Sequence, residues 1–149
     1  MMPTTHEATA TWRGDLSSGK GNVSTKSGAL KQAATSWSER TEGTGSTGAT
    51  SPEELLAAAH ASCFTMAFAA RLAKAGVADP NITVTAKVTF GPKPAGGNAV
   101  LSSALTARAQ APDGDAAKLR AVAEDAKENC PISKALQGNV ALSVEATAS

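Results

Sequence analysis

The sequence predicts an α+β fold in which antiparallel sheets pack around one long buried helix. Three observations carry this. Strand-like alternation appears at both ends and in the middle of the chain. A single long apolar helix interrupts it, and a second, amphipathic helix precedes the last strand. The order is three strands, helix, two strands, helix, strand, which is an α+β pattern. At 149 residues with no repeat and no linker, the chain reads as one domain, 1–149.

The first strands are punctuated by glycine. Ala8 to Arg13 alternates small and polar groups around Trp12, and Gly14-Asp15 ends it. Asn22 to Thr25 resumes an extended pattern after Gly19-Lys20-Gly21. Ala34 to Arg40 is expected to be a third strand. The stretch G-T-G-S-T-G-A-T that follows Glu42 has no periodicity and reads as a loop.

The clearest helix signal comes next. Ser51-Pro52-Glu53-Glu54 is a capping box, in which the Ser51 hydroxyl accepts from the third helical N–H. Pro52 occupies the first helical position, where its missing N–H costs nothing. The helix is expected from Pro52 to about Ala75, stopped by Gly76. Its middle is apolar nearly all round, so it is expected to be buried on every face. Ile82 to Phe90 then alternates with period two, and Ala99 to Ala109 is its hairpin partner. A second helix spans Asp113 to Asn129, with Leu119, Val122, Ala123 and Ala126 on one stripe and Asp113 or Asp115 as its cap. Cys130-Pro131 breaks it. Ile132 to Leu136 forms a short helix, and Asn139 to Ala146 closes as a strand.

Composition narrows the function classes. The net charge is +1, so there is no basic field for nucleic acid and no polybasic membrane patch. The most apolar run, Leu55 to Ala70, contains His60, Ser62 and Thr65 and falls short of the about 20 apolar residues of a membrane span. Met1 to Ala10 has no apolar leader core, so a soluble, cytoplasmic protein is expected. Alanine supplies 32 residues, whereas Val, Ile, Leu and Phe together supply 23. So thin a core gains stability by burying surface against another subunit, and a dimer is expected.

Two cysteines are too few for a disulfide scaffold, and in a reducing compartment a pair suggests redox, catalytic or metal chemistry. Cys63 sits mid-helix, where apolar surroundings keep a thiol protonated and inert unless a cation stands near. The helix offers His60 at i−3 and Arg71 two turns on. Cys130 precedes Pro131 and is expected to cap a helix, its sulfur facing the positive end of the dipole. His60-x-x-Cys63 with Cys130 is too sparse for a zinc site, and we assign no metal. A Cys–His hydrolase would take His60 as base but lacks an orienting residue. No flavin, haem or nucleotide motif is present, so no cofactor is expected.

W-R-G-D, then G-K-G-N-V-S-T-K-S-G-A-L, S-P-E-E-L-L-A-A-A-H-A-S-C-F-T-M-A and C-P-I-S-K-A-L, in that order, resemble the OsmC/Ohr family of thiol peroxidases, in its osmotically inducible branch. The resemblance implies an intertwined α+β homodimer that reduces organic hydroperoxides, with hydrogen peroxide as a second candidate. It implies that Cys63 is the peroxidatic cysteine, Cys130 the resolving cysteine, Glu53 the active-site glutamate and Arg40 the arginine, with Arg13 as the rival position. The branch pattern follows its arginine with an aromatic residue; here Thr41 stands there. A dithiol reductant of the lipoyl type is implied as well. The alternative is a redox-sensing or hydrophobic-ligand-binding module without catalysis.

The proposed roles fit the chemistry. A thiolate attacks the O–O bond, yet a free thiol with a pKa of about 8.5 is mostly protonated at neutral pH. A guanidinium beside it favours the anion and can hold the peroxide oxygens. Glu53 would brace the arginine through a bidentate pair. Phe64, Met66 and Phe68 are candidates for an apolar substrate pocket, with core packing expected for at least two of them. Glu53 and Cys63 lie roughly 15 Å apart along one helix and about 80° apart around it. Glu53 therefore serves the Cys63 of an antiparallel partner helix more easily than its own, which predicts a site shared between subunits.

Overall fold

A computed structural model of the chain describes residues 1–149. The chain divides into two compact units, Met1–Glu54 and Leu55–Ser149. The division falls within the first turn of the long helix.

The first unit holds a three-stranded antiparallel sheet of β1 (Ala8–Arg13), β2 (Lys20–Thr25) and β3 (Ala33–Thr35), in that order. β1 is exposed along its whole length, and Trp12 is 43% exposed. The expected third strand, 34–40, is corrected: β3 ends at Thr35 and a helix, α1 (Trp37–Glu42), takes over. Local capping decides this. The Ser36 hydroxyl accepts from the Glu39 N–H at 3.2 Å, and Gly43 adopts the left-handed conformation that closes the helix. That Ser-x-x-Glu signal was present in the sequence and outweighs the strand-like look of the segment. Beyond α1, the Thr50 N–H returns to the Ala34 carbonyl at 2.7 Å, so the Gly/Thr/Ser loop is tied to the sheet at its far end.

The long helix, α2 (Pro52–Lys74), begins where the capping box places it, with the Ser51 hydroxyl accepting from the Glu54 N–H at 3.1 Å. The second unit contains most of α2, then β4 (Thr83–Pro92), β5 (Asn98–Ala109), α3 (Ala116–Asn129), α4 (Pro131–Leu136) and β6 (Ala141–Ala148). Asp115 caps α3 by accepting from the Ala117 and Lys118 N–H groups; Asp113 belongs to a preceding tight turn.

The second sheet has the order β4-β5-β6. β4 and β5 form the expected antiparallel hairpin, but β6 runs parallel to β5, so the expectation of purely antiparallel sheets is corrected. The reason is topological. α3 and α4 lie between β5 and β6, and a connection of that length returns the chain in the same direction.

The core of this unit joins Phe64, Phe68 and Leu72 of α2 to Leu105, Ala107 and Ala109 of β5, to Leu119, Ala123 and Ala126 of α3, and to Cys130. The α2 residues are spaced by four, one stripe of a helix. The expectation that α2 is buried on every face is therefore corrected for the single chain. Met66 is 66% exposed, and Ala58, Ala59, Ser62 and Ala70 are exposed as well. At 23 residues α2 is long and apolar enough by length and composition to cross a membrane, beyond what the shorter run suggested. Its buried stripe instead forms the core of a protein unit.

Close backbone approach shapes the first sheet at Gly21. A Cβ there would lie 2.6 Å from the Thr11 carbonyl oxygen, 2.6 Å from Thr35 Oγ1 and 2.7 Å from the Trp12 ring. Gly21→Ala should lower stability by about 1–3 kcal/mol, because three neighbours must shift at once. The check is the urea midpoint, and an unchanged midpoint would mean that the strands spread freely.

Candidate active site

In the first unit, α1 carries Arg40 and the first turn of α2 carries its partner, Glu53. Arg40 Nε donates to Glu53 Oε1 at 3.1 Å and to Oε2 at 3.2 Å, and Nη2 donates to Oε1 at 2.9 Å. Glu53 is buried, and the guanidinium is partly exposed. This is a forked, charge-assisted clasp of the kind that fixes a guanidinium in one plane. Trp37, one turn before Arg40 on α1, lies with its ring centroid 5.9 Å from the guanidinium carbon. An aromatic group thus accompanies Arg40 although Thr41 follows it in sequence. The rival, Arg13, closes the exposed strand β1 opposite Lys20.

Glu39 is a residue that sequence reasoning missed. It is buried, and its carboxylate accepts from the Gly45 N–H at 2.8 Å and from the Thr47 hydroxyl at 2.6 Å. These bonds fold the loop between Arg40 and Glu53 back onto α1. Its position beside Arg40, at the third residue of a capping box, is the signal that could have marked it.

In the second unit the two cysteines meet. Both are free thiols, Cys130 fully buried and Cys63 half-buried against the same core. Burial pushes the Cys63 thiol above its usual range. The Ile132 backbone N–H works against that shift by hydrogen bonding to the sulfur, and the neighbouring Cys130 sulfur adds to it as hydrogen-bond partner and as like charge. The expectation for Cys130 is corrected here. It occupies the cap position of α4, but its side chain makes no cap hydrogen bond. The N–H at the start of α4 serves Cys63 instead. A sulfur on another element reaches it because the cap residue's own side chain turns into the core.

The nearby cations offered by sequence are engaged elsewhere. Arg71 pairs with Asp125 of α3. His60 is fully buried, with Nδ1 2.7 Å from Ser103 Oγ on β5 and Nε2 2.8 Å from Ser133 Oγ on α4. Neither serine stood out in the sequence. Ser133 follows Cys130 by three residues, as Cys63 follows His60, and that matched spacing was the available clue. Both ring nitrogens of His60 are thus committed to hydroxyls, which leaves neither as a base toward Cys63 or as a metal ligand. Phe64 and Phe68 pack against each other in the core with ring centroids 5.4 Å apart, whereas Met66 points outward.

The fold and the paired thiols define a class: small α+β proteins in which a long helix presents one cysteine to a second cysteine at the head of a short helix. The chain belongs to the OsmC family: residues 43–145 match the family model described as OsmC-like protein. It is 39% identical over 133 residues to Peroxiredoxin OsmC of Escherichia coli (strain K12), covering 89% of this chain and 90% of that protein. Its fold is similar to the crystal structure of the organic hydroperoxide resistance protein OhrB of Bacillus subtilis. The TM-score is 0.73 at 27% identity, over 95% of this chain and 98% of that one. It is similar also to the organic hydroperoxide resistance protein OsmC from Legionella pneumophila, with a TM-score of 0.72 at 26% identity over 97% and 99% of the two chains.

Burial disfavours the His60 imidazolium and lowers its pKa below the usual histidine range. A group depressed in this way takes up its proton more readily in the unfolded chain. Its contribution to stability is full above about pH 6.5 and is lost as pH falls below that value. The urea midpoint of the native protein should therefore drop between about pH 7 and about pH 5.5 by more than that of His60→Gln, whose amide does not titrate. Parallel pH dependences in the two proteins would contradict this.

Proposed function

We propose that this protein reduces organic hydroperoxides, and hydrogen peroxide as a lesser substrate, through a two-cysteine cycle. The coarse activity follows from family membership: an OsmC-family chain 39% identical to a peroxiredoxin is a peroxidase. The finer reading is carried by one observation, the contact between the Cys63 and Cys130 sulfurs within one compact unit.

In the proposed cycle, the Cys63 thiolate attacks the terminal peroxide oxygen. The O–O bond breaks, Cys63 becomes a sulfenic acid, and the alkoxide takes a proton to leave as alcohol. The Cys130 thiol then attacks the Cys63 sulfur, a disulfide forms, and the hydroxyl departs as water. A dithiol of the lipoyl type reduces the disulfide by exchange and is itself oxidised to a cyclic disulfide.

Arg40 is the proposed activating cation. Burial and the neighbouring sulfur hold Cys63 protonated, and the Ile132 N–H offsets only part of that. A guanidinium is then required, and the one already locked in plane is Arg40 in its Glu53 clasp. The site is proposed to form between two copies, Glu53 and Arg40 of one approaching Cys63 of the other. Support for the homodimer comes from α2, which keeps Met66 and several alanines uncovered in the single chain. A cytoplasmic location suits the cycle, since both thiols must start reduced. The protein is taken as one functional domain, 1–149.

Four measurements test this reading. Cys63→Ser should abolish consumption of an organic hydroperoxide in the presence of a dithiol, while Cys130→Ser, with the dithiol left out, should consume one equivalent and stop with a sulfenate. One equivalent of peroxide should remove two hydrogens per chain by mass, with both cysteines then blocked to alkylation. If the purified protein consumes neither class of peroxide, the non-catalytic binding or sensing module is the correct reading. Arg40→Met should lower the rate by about 10²–10³-fold and move its rising pH limb upward, as loss of the thiolate's cation requires. Light scattering should give the mass of a dimer, and a monomer would sink the shared site.

A further inference from the structure

We infer that His60 is the positioning residue of the thiol pair: by bridging Ser103 of β5 to Ser133 of α4, it holds the head of α4 so that the Ile132 N–H and the Cys130 sulfur both face Cys63. The inference rests on the peroxidase reading above and names the residue that sets its geometry.

The registers of the two helices carry the argument. His60 precedes Cys63 by three residues on α2, and Ser133 follows Cys130 by three at the start of α4. Two contacts therefore join the same stretches of chain: sulfur to sulfur, and imidazole Nε2 to hydroxyl at 2.8 Å. Between them lies Ile132, whose N–H faces the Cys63 sulfur and favours its anion.

α4 cannot place itself. Six residues are far too few for a helix to be stable alone in water. Its side chains give limited purchase, since Ser133 is its only fully buried residue and only Ile132 and Leu136 are partly buried. The His60–Ser133 bond is the directional tie in that set. It is anchored in turn by the 2.7 Å bond to Ser103, which lies on the central strand of the second sheet. A neutral imidazole has one donor and one acceptor nitrogen, and a serine hydroxyl can answer either, so all three groups are satisfied without charge. A histidine with both nitrogens bonded and fully buried gains nothing from solvent. It also reaches two separate elements with one rigid ring, which a flexible side chain does only at a larger entropic cost. Hydrogen bonds that orient a reacting group from behind act in this way in metal sites and catalytic centres alike.

The test separates positioning from mere packing. In a Cys130→Ser background, the rate of Cys63 alkylation by iodoacetamide is followed against pH for three further changes: Ser133→Ala, His60→Leu and His60→Gln. Ser133→Ala and His60→Leu should raise the midpoint by about one pH unit, the effect of losing one hydrogen bond to the thiolate. His60→Gln, which keeps a donor and an acceptor, should stay near the parent. In the two-cysteine protein, equilibrium with reduced and oxidised dithiothreitol reports the Cys63–Cys130 disulfide. Its equilibrium constant should fall about tenfold in Ser133→Ala, because the sulfurs are no longer held together. An unchanged midpoint and an unchanged equilibrium in Ser133→Ala overturn the inference. If His60→Leu fails to fold, Ser133→Ala, which removes one oxygen atom, decides alone. Neither readout uses peroxide. Failure of the native protein to consume hydroperoxide would sink the peroxidase reading alone, and unmoved thiol readouts in a peroxide-consuming protein would sink the positioning role alone.

Discussion

The docking of a six-residue helix onto the middle of a twenty-three-residue one is the contact that sets the surroundings of both thiols of this chain. It brings together two cysteines separated by most of the second unit, and it turns a backbone N–H toward the first of them. Without it Cys63 would be one more small apolar residue on a helix rich in alanine. With it, a sulfur in poorly hydrated surroundings gains a hydrogen-bond donor and a second sulfur as neighbour. The contact lies inside the compact unit Leu55–Ser149.

The two units differ in their electrostatics. In the second, burial keeps Cys63 protonated, and the available cations are spent on Asp125 or replaced by a neutral imidazole. In the first, a guanidinium is held in plane by Glu53 and stacked near Trp37, and the loop between them is folded by Glu39. α2 is half-covered in the single chain, where a core poor in large side chains leaves apolar helix surface exposed.

Much of the fold was legible in sequence because its signals are local. The capping box at Ser51 placed the start of α2, period two marked β4, and a stripe spaced by three and four marked α3, each read within one element. The error at 34–40 was also local: the Ser36–Glu39 cap and Gly43 were there, but the segment was read by its alternation. The Arg40–Glu53 pairing was reached from family resemblance, and a forked ion pair joins these two residues.

By itself, then, the sequence determined the types of the elements other than α1, the placement of the two cysteines on α2 and at the α3–α4 break, and the family. These depend on backbone preferences and spacing along one stretch of chain. Tertiary structure decided the rest. It made β6 parallel to β5, buried a single stripe of α2, gave the α4 N–H to Cys63 rather than Cys130, and closed both nitrogens of His60 with serines 43 and 73 residues away. Each is a pairing between distant segments, set by how buried polar groups find partners once the chain is packed, and no local pattern encodes it.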